Sequence, residues 1–183
     1  AVEPDFVSVT FGAGGSTREG SLELAKKLQQ EKGLKVLCYF ACVGLAPTTV
    51  TSVLDDFNEA EIKNLLIVRG DKPEDETFQA HPESYQHASD LLPSVVQREQ
   101  FCVGVAAYPE GHKEAQSKEK DLEFLKAKVE AGADFVVTNY TYDNEHYFSL
   151  VEKARQLGIK VPIMPGVMPI FSVKMMNNLA ALC

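Results

Sequence analysis

Cys102–Asp143 reads CVGVAAYPEGHKEAQSKEKDLEFLKAKVEAGADFVVTNYTYD. Its order is an apolar run, a polar turn, an amphipathic helix and a second apolar run that ends in polar residues. That is a strand–helix–strand unit, and α/β proteins place their chemistry at such strand ends. The same pattern occurs upstream, where Asn64–Asp71, NLLIVRGD, is an apolar strand ending in Arg69, Gly70 and Asp71. A buried strand that delivers an arginine and a carboxylate side by side points to more than packing.

The rest of the chain repeats this alternation. Strands are expected at Phe6–Phe11, Lys35–Val43, Leu65–Val68, Phe101–Ala107, Phe135–Thr138 and Pro162–Pro165. Helices are expected from Ser21 to Gly33, from Thr48 to Phe57 with Thr48 or Thr49 as cap, and from Ser84 to Gln97. Three more follow at Glu119–Ala131, Asn144–Leu157 and Ser172–Ala181. The units recur roughly every 30 residues, the length of a βαβ unit. The strands are near-continuous apolar runs, as in a parallel sheet covered by helices on its faces. The acidic, Pro-containing segment Lys72–Glu83 reads as an insertion or mobile loop inside one domain, residues 1–183.

Two architectures fit this order. One is an open doubly wound sheet; the other is a (β/α)₈ barrel, which normally takes about 250 residues. Gly12-Ala13-Gly14-Gly15-Ser16-Thr17 has neither the spacing of a dinucleotide fingerprint nor the lysine of a phosphate loop. It reads as a Gly-rich βα turn or as a loop that covers a ligand.

Composition narrows the function. With 45% hydrophobic and 24% charged residues the chain is an ordinary globular protein. A net charge of -8 argues against nucleic acid, which needs a basic face. No apolar run is long enough to span a membrane. Cys38, Cys42, Cys102 and Cys183 are scattered, which fits neither a zinc site nor a disulfide framework. They read as buried free thiols in a reducing, cytoplasmic setting.

Five segments in order, DFVSVTFGA (5–13), RGDKP (69–73), AAYPEGH (106–112), DLEFLKAKVEAGA (121–133) and PGVMP (165–169), resemble the methylenetetrahydrofolate reductase family. The resemblance runs over essentially the whole chain. It implies a flavin-binding (β/α)₈ TIM-type barrel of which this chain carries about six units. It also implies that the family's first strand, with its acidic Glu, and its last βα unit lie outside the sequence. The implied activity is ping-pong reduction of 5,10-methylenetetrahydrofolate to 5-methyltetrahydrofolate, with hydride passing from NAD(P)H through FAD. A homo-oligomer is implied as well.

Residue by residue, the resemblance places flavin contacts at Thr10, Arg69, Gly70, Asp71, Ala106, Tyr108, His112, Asp121 and Lys128. These types suit the cofactor: Arg69, His112 and Lys128 offer donors to anionic oxygen, and Asp121 can accept from ribitol or ribose hydroxyls. Asp71 is the expected catalytic carboxylate, near both the flavin ring and a developing folate cation. The chain departs from the family at four positions. Tyr39 stands for a flavin-contacting His, Ala41 for its neighbouring Thr, His87 for a Tyr of the adenine region, and Asn139 for a pterin-binding Gln. Leu179 falls where the family sets an apolar residue against substrate. The departures at Tyr39 and Asn139 leave two alternatives open, a related flavin barrel with another substrate or a protein electron donor, and a non-catalytic subunit.

Overall fold

The computed structural model describes residues 3–11, 15–70 and 78–182, with side chains for 3–10, 20–70 and 78–177. Six strands alternate with six helices: β1 (Val7–Phe11), α1 (Gly15–Lys32), β2 (Val36–Ala41), α2 (Pro47–Glu59), β3 (Asn64–Val68), α3 (Ala88–Val96), β4 (Cys102–Ala107), α4 (Lys118–Glu130), β5 (Phe135–Tyr140), α5 (Asn144–Gln156), β6 (Ile163–Gly166) and α6 (Val173–Leu182). The strands form one sheet in the order of the sequence, and every neighbouring pair is parallel. This is the curled sheet of a (β/α)₈-type barrel, as expected, and not a doubly wound sheet, whose strand order would reverse at a switch point.

Strand alternation divides the sheet into two faces. Val9, Cys38, Phe40, Leu65, Ile67, Val103, Val105 and Val136 point to the helices and are buried. They meet Val53, Leu54, Phe57, Leu91, Leu92, Val95, Leu122 and Leu125 from α2, α3 and α4 in one core. The other, concave face carries a row in register across five strands: Thr10, Tyr39, Leu66, Gly104 and Phe135. Gly104 is required in that row, because a Cβ there would lie 2.2 Å from the Phe135 ring.

The structure corrects several local expectations. Helix α1 begins at Gly15 rather than Ser21. Helix α2 is capped by Ala46 with Pro47 at its first position, so neither Thr48 nor Thr49 is the cap. Proline supplies the preset φ and lacks the N–H that a cap would otherwise have to satisfy. Helix α3 starts at Ala88, four residues late, where the Asp90 carboxylate accepts the His87 backbone N–H at 2.9 Å.

Cys38 and Cys42 are buried free thiols, and burial pushes them up to about 12 and about 11. Cys102 is exposed, against expectation. It shares the parity of Gly104 and so lies on the concave side at the start of β4. Of the Lys72–Glu83 segment, residues 72–77 lie outside the described residues. The part that follows packs down: the Phe78 ring sits over Gly44, whose φ is +70°, and His81 N–H donates to Gly44 O at 3.2 Å.

Phe57 is fully buried and meets Phe40 edge-on, with ring centroids 5.8 Å apart. It joins α2 to the sheet. Phe57→Ala should cost about 3–5 kcal/mol, read by urea unfolding of the full-length protein. A loss below about 1 kcal/mol would mean that α2 does not pack on β2 as described.

Candidate functional site

Parallel strands in sequence order bring all their C-terminal ends to one rim. β3 ends there in Val68, and the chain turns through Arg69 and Gly70. Gly70 has φ +82°, and a Cβ on it would come within 2.8 Å of the Ala41 Cβ on the neighbouring strand. The turn therefore requires glycine on two counts. Val43 N–H donates to Arg69 O at 2.8 Å, which ties this turn to the end of β2.

β4 ends in Ala106 and Ala107, and Tyr108 follows directly. The loop that follows is cross-braced. Gly111 N–H donates to Tyr108 O at 3.0 Å, and the Tyr108 and His112 rings meet edge-on at 4.6 Å. His112 N–H donates to Asp121 Oδ2 at 3.1 Å, and His112 Nδ1 accepts the Glu114 N–H at 3.1 Å. Ser117 caps α4 by accepting the Lys120 N–H at 3.1 Å, which sets Asp121 in the first turn facing the loop. Asp121 thus combines its expected site position with a structural bond.

Lys128, an expected flavin contact, is part-buried. Its ammonium reaches back along α4 and donates to Ala106 O at 2.6 Å, at the end of β4. Burial pushes its pKa below the usual lysine range, while the nearby Asp121 carboxylate acts in the opposite sense. A desolvated cation beside a carboxylate is a common device of ligand sites. Tyr108, Asp121 and Lys128 also line a cleft of about 110 Å³ between β4, α4 and α5, together with Lys118 of α4 and His146 and Lys153 of α5.

The other expected residues are more dispersed. Thr10 and Tyr39 are register neighbours on the concave face, and burial raises the Tyr39 phenol above its ordinary range. His87 is exposed at the start of α3. Asn139 is exposed near the end of β5, where its amide oxygen accepts the Tyr140 N–H at 3.0 Å. Leu179 lies in α6, and its side chain is outside the described ones. Asp71 is outside the described residues altogether.

Two carboxylates were missed by sequence reading. Glu114 pairs with Arg69 through both of its oxygens, at 2.5 and 3.0 Å. Glu110 accepts from Thr141 Oγ1 at 2.9 Å and lies 3.6 Å from His146 Nδ1, bridging the ends of β4 and β5. The signal for Glu114 was its place two residues after His112. Its partner, 45 residues away, could not be read from local pattern.

Comparison with known proteins bears on this rim. The family model described as methylenetetrahydrofolate reductase matches residues 1–183. The chain is 34% identical over 169 residues to methylenetetrahydrofolate reductase 1 of Schizosaccharomyces pombe, covering 91% of this chain and 28% of that protein. It is 33% identical over 180 residues to 5,10-methylenetetrahydrofolate reductase of Escherichia coli K12, covering 98% of this chain and 59% of that one. The chain therefore spans between about a quarter and about three-fifths of these relatives. Among solved structures, oxaloacetate acetylhydrolase in complex with oxalate superposes with a TM-score of 0.59 over 90% of this chain and 56% of that chain, at 12% identity. That likeness concerns the fold alone.

The Arg69 guanidinium holds the Glu114 carboxyl at about 2, well below the usual 4.5. A lowered carboxylate pKa means that the pair is complete above the ordinary range and is lost only as pH falls towards about 2. Followed downward from neutrality by ¹³C NMR, the Glu114 carboxyl resonance should stay in its ionised position through about pH 4, where an ordinary Glu half-titrates. In Arg69→Ala it should titrate in the ordinary range. Ordinary titration in the unaltered protein would show that the pair does not form in solution.

Proposed function

Because the chain belongs to the methylenetetrahydrofolate reductase family, we propose that it is the catalytic barrel domain of an enzyme that reduces 5,10-methylenetetrahydrofolate to 5-methyltetrahydrofolate, with FAD as cofactor and NAD(P)H as reductant. The observation that carries the reading is the family match along the whole chain, together with the gathering of Arg69, His112, Asp121 and Lys128 at the ends of β3 and β4. A soluble, cytoplasmic homo-oligomer is part of the same proposal. No helix among the described residues is long and apolar enough to cross a membrane.

The residues present fit a flavin dinucleotide by the chemistry of their donors. When bound, FAD supplies two-electron, hydride-carrying chemistry between reductant and folate. Arg69 and Lys128 would hold anionic oxygen, Lys128 from a position where low solvent access strengthens the interaction. His112 would add a ring donor beside Tyr108, whose body gives the cofactor an apolar wall. Asp121 would accept from a hydroxyl with the lone pairs not used by His112 N–H. Thr10 and Tyr39 would border the site on the concave face, with Gly70 and Ala106 allowing close approach of the backbone.

Asp71, directly after Gly70, would be the carboxylate that stabilises positive charge developing on the folate. His87 would flank the adenine region, and Asn139 and Leu179 would meet the substrate. One observation favours a second reading, in which the same barrel reduces another substrate. The Asn139 amide oxygen is engaged by its own strand, which takes a pterin acceptor away unless the side chain turns.

Purified full-length protein should show absorbance bands near ~370 and ~450 nm from bound flavin. Protein that stays colourless and takes up no added FAD would overturn the flavin reading. Asp71→Asn should slow reoxidation by methylenetetrahydrofolate by about 10²–10³ while reduction by the nicotinamide changes little. Stopped-flow absorbance at ~450 nm separates the two halves. Equal slowing of both would assign Asp71 to cofactor placement, and no slowing of either would make it a turn residue. Normal flavin reduction with no turnover of the folate in the unaltered protein would favour the second reading.

A further inference from the structure

Glu114 occupies a position that fold stability does not explain. Its carboxylate and the Arg69 side chain are 53% and 24% exposed, so the pair is open to water and adds little to folding. Yet the geometry is well defined. Both terminal nitrogens of Arg69 donate to it, at 2.5 and 3.0 Å, and Arg69 Nε makes a longer contact with Gly70 O at 3.4 Å. The backbone beneath Glu114 is anchored in turn. Its N–H donates to His112 Nδ1, His112 O accepts the Ala115 N–H at 2.9 Å, and the His112 ring rests edge-on against Tyr108. The carboxylate is therefore the tip of a braced loop.

We propose that Glu114 is a positioning residue for Arg69, fixing the plane of its guanidinium at the end of β3 so that the fork meets an anionic or carbonyl oxygen of the bound cofactor in one orientation. The inference rests on the flavin reading of this rim. A bidentate carboxylate holds both terminal nitrogens at once and so sets the plane in which the guanidinium's donors point. An arginine stem has many rotamers, and a ligand that must order it loses affinity in doing so. Here the ordering is done in advance, by a side chain from the neighbouring βα loop. The depressed pKa of Glu114 keeps the brace ionised across the neutral and mildly acid range.

The experiment is a double-mutant cycle on flavin affinity in the full-length protein. FAD is titrated into apoprotein and the quenching of its fluorescence is followed. Glu114→Gln should weaken FAD binding about tenfold, the scale of immobilising one long side chain. Glu114→Asp keeps the charge with a shorter reach and should recover part of that loss. In an Arg69→Ala background, Glu114→Gln should have no further effect, because nothing is left to position. The same tenfold loss in both backgrounds would overturn the proposal and make Glu114 a support of the loop. Unchanged affinity in Glu114→Gln, with Arg69→Ala weakened, would also overturn it and leave the flavin reading intact. Failure of the unaltered protein to take up FAD would sink the flavin reading and this inference with it.

Discussion

Right-handed crossover is the constraint on which the molecule depends. A parallel strand can reach the next only by a helix packed against the sheet, and each crossover returns the chain in the same direction. Six such steps place β1 to β6 side by side in sequence order. Every strand then ends at the same rim. Residues far apart in the chain, Tyr39, Arg69, Ala106 and Asn139, come to that rim or beside it because of this one repetition. The helices that make the return supply Asp121 and Lys128 to the same region.

The two faces of each strand carry different duties. The helix-facing side is apolar and tightly closed, with Phe40, Leu65, Ile67, Val105 and Val136 almost wholly buried. The concave side is mixed: Thr10 is exposed, Tyr39 is half-buried, and Gly104 gives way to the Phe135 ring. A strand buried on its outer side by helices can vary its inner side with little loss to the core. That division lets Tyr39 and Cys102 depart from a buried apolar pattern while the fold stays intact.

The rim holds its charges in two manners. Lys128 is withdrawn among protein groups, bonded to a strand carbonyl and near Asp121. Arg69 is closer to water and is ordered by Glu114. Neither arrangement is needed by the fold. A part-buried lysine costs desolvation, and an exposed ion pair returns little stability. Both are the kind of expense that appears where a protein recognises something.

The sequence by itself determined the order of elements, their parallel pairing and the core. Apolar runs broken by amphipathic helices are local patterns, and their physical cause lies within each segment. The motifs RGD at 69–71 and YPEGH at 108–112 also marked which strand ends carry the polar residues. Element boundaries were less legible. Pro47 started a helix without a polar cap, and Cys102 fell on the open face of its strand. The pairings were not legible at all. Arg69 with Glu114, Lys128 with Ala106 and Glu110 beside His146 each join different elements, 45, 22 and 36 positions apart in the numbering of the chain. Local periodicity carries no term for such contacts. They depend on how the strands register and on where a helix returns, and only the tertiary structure decides that.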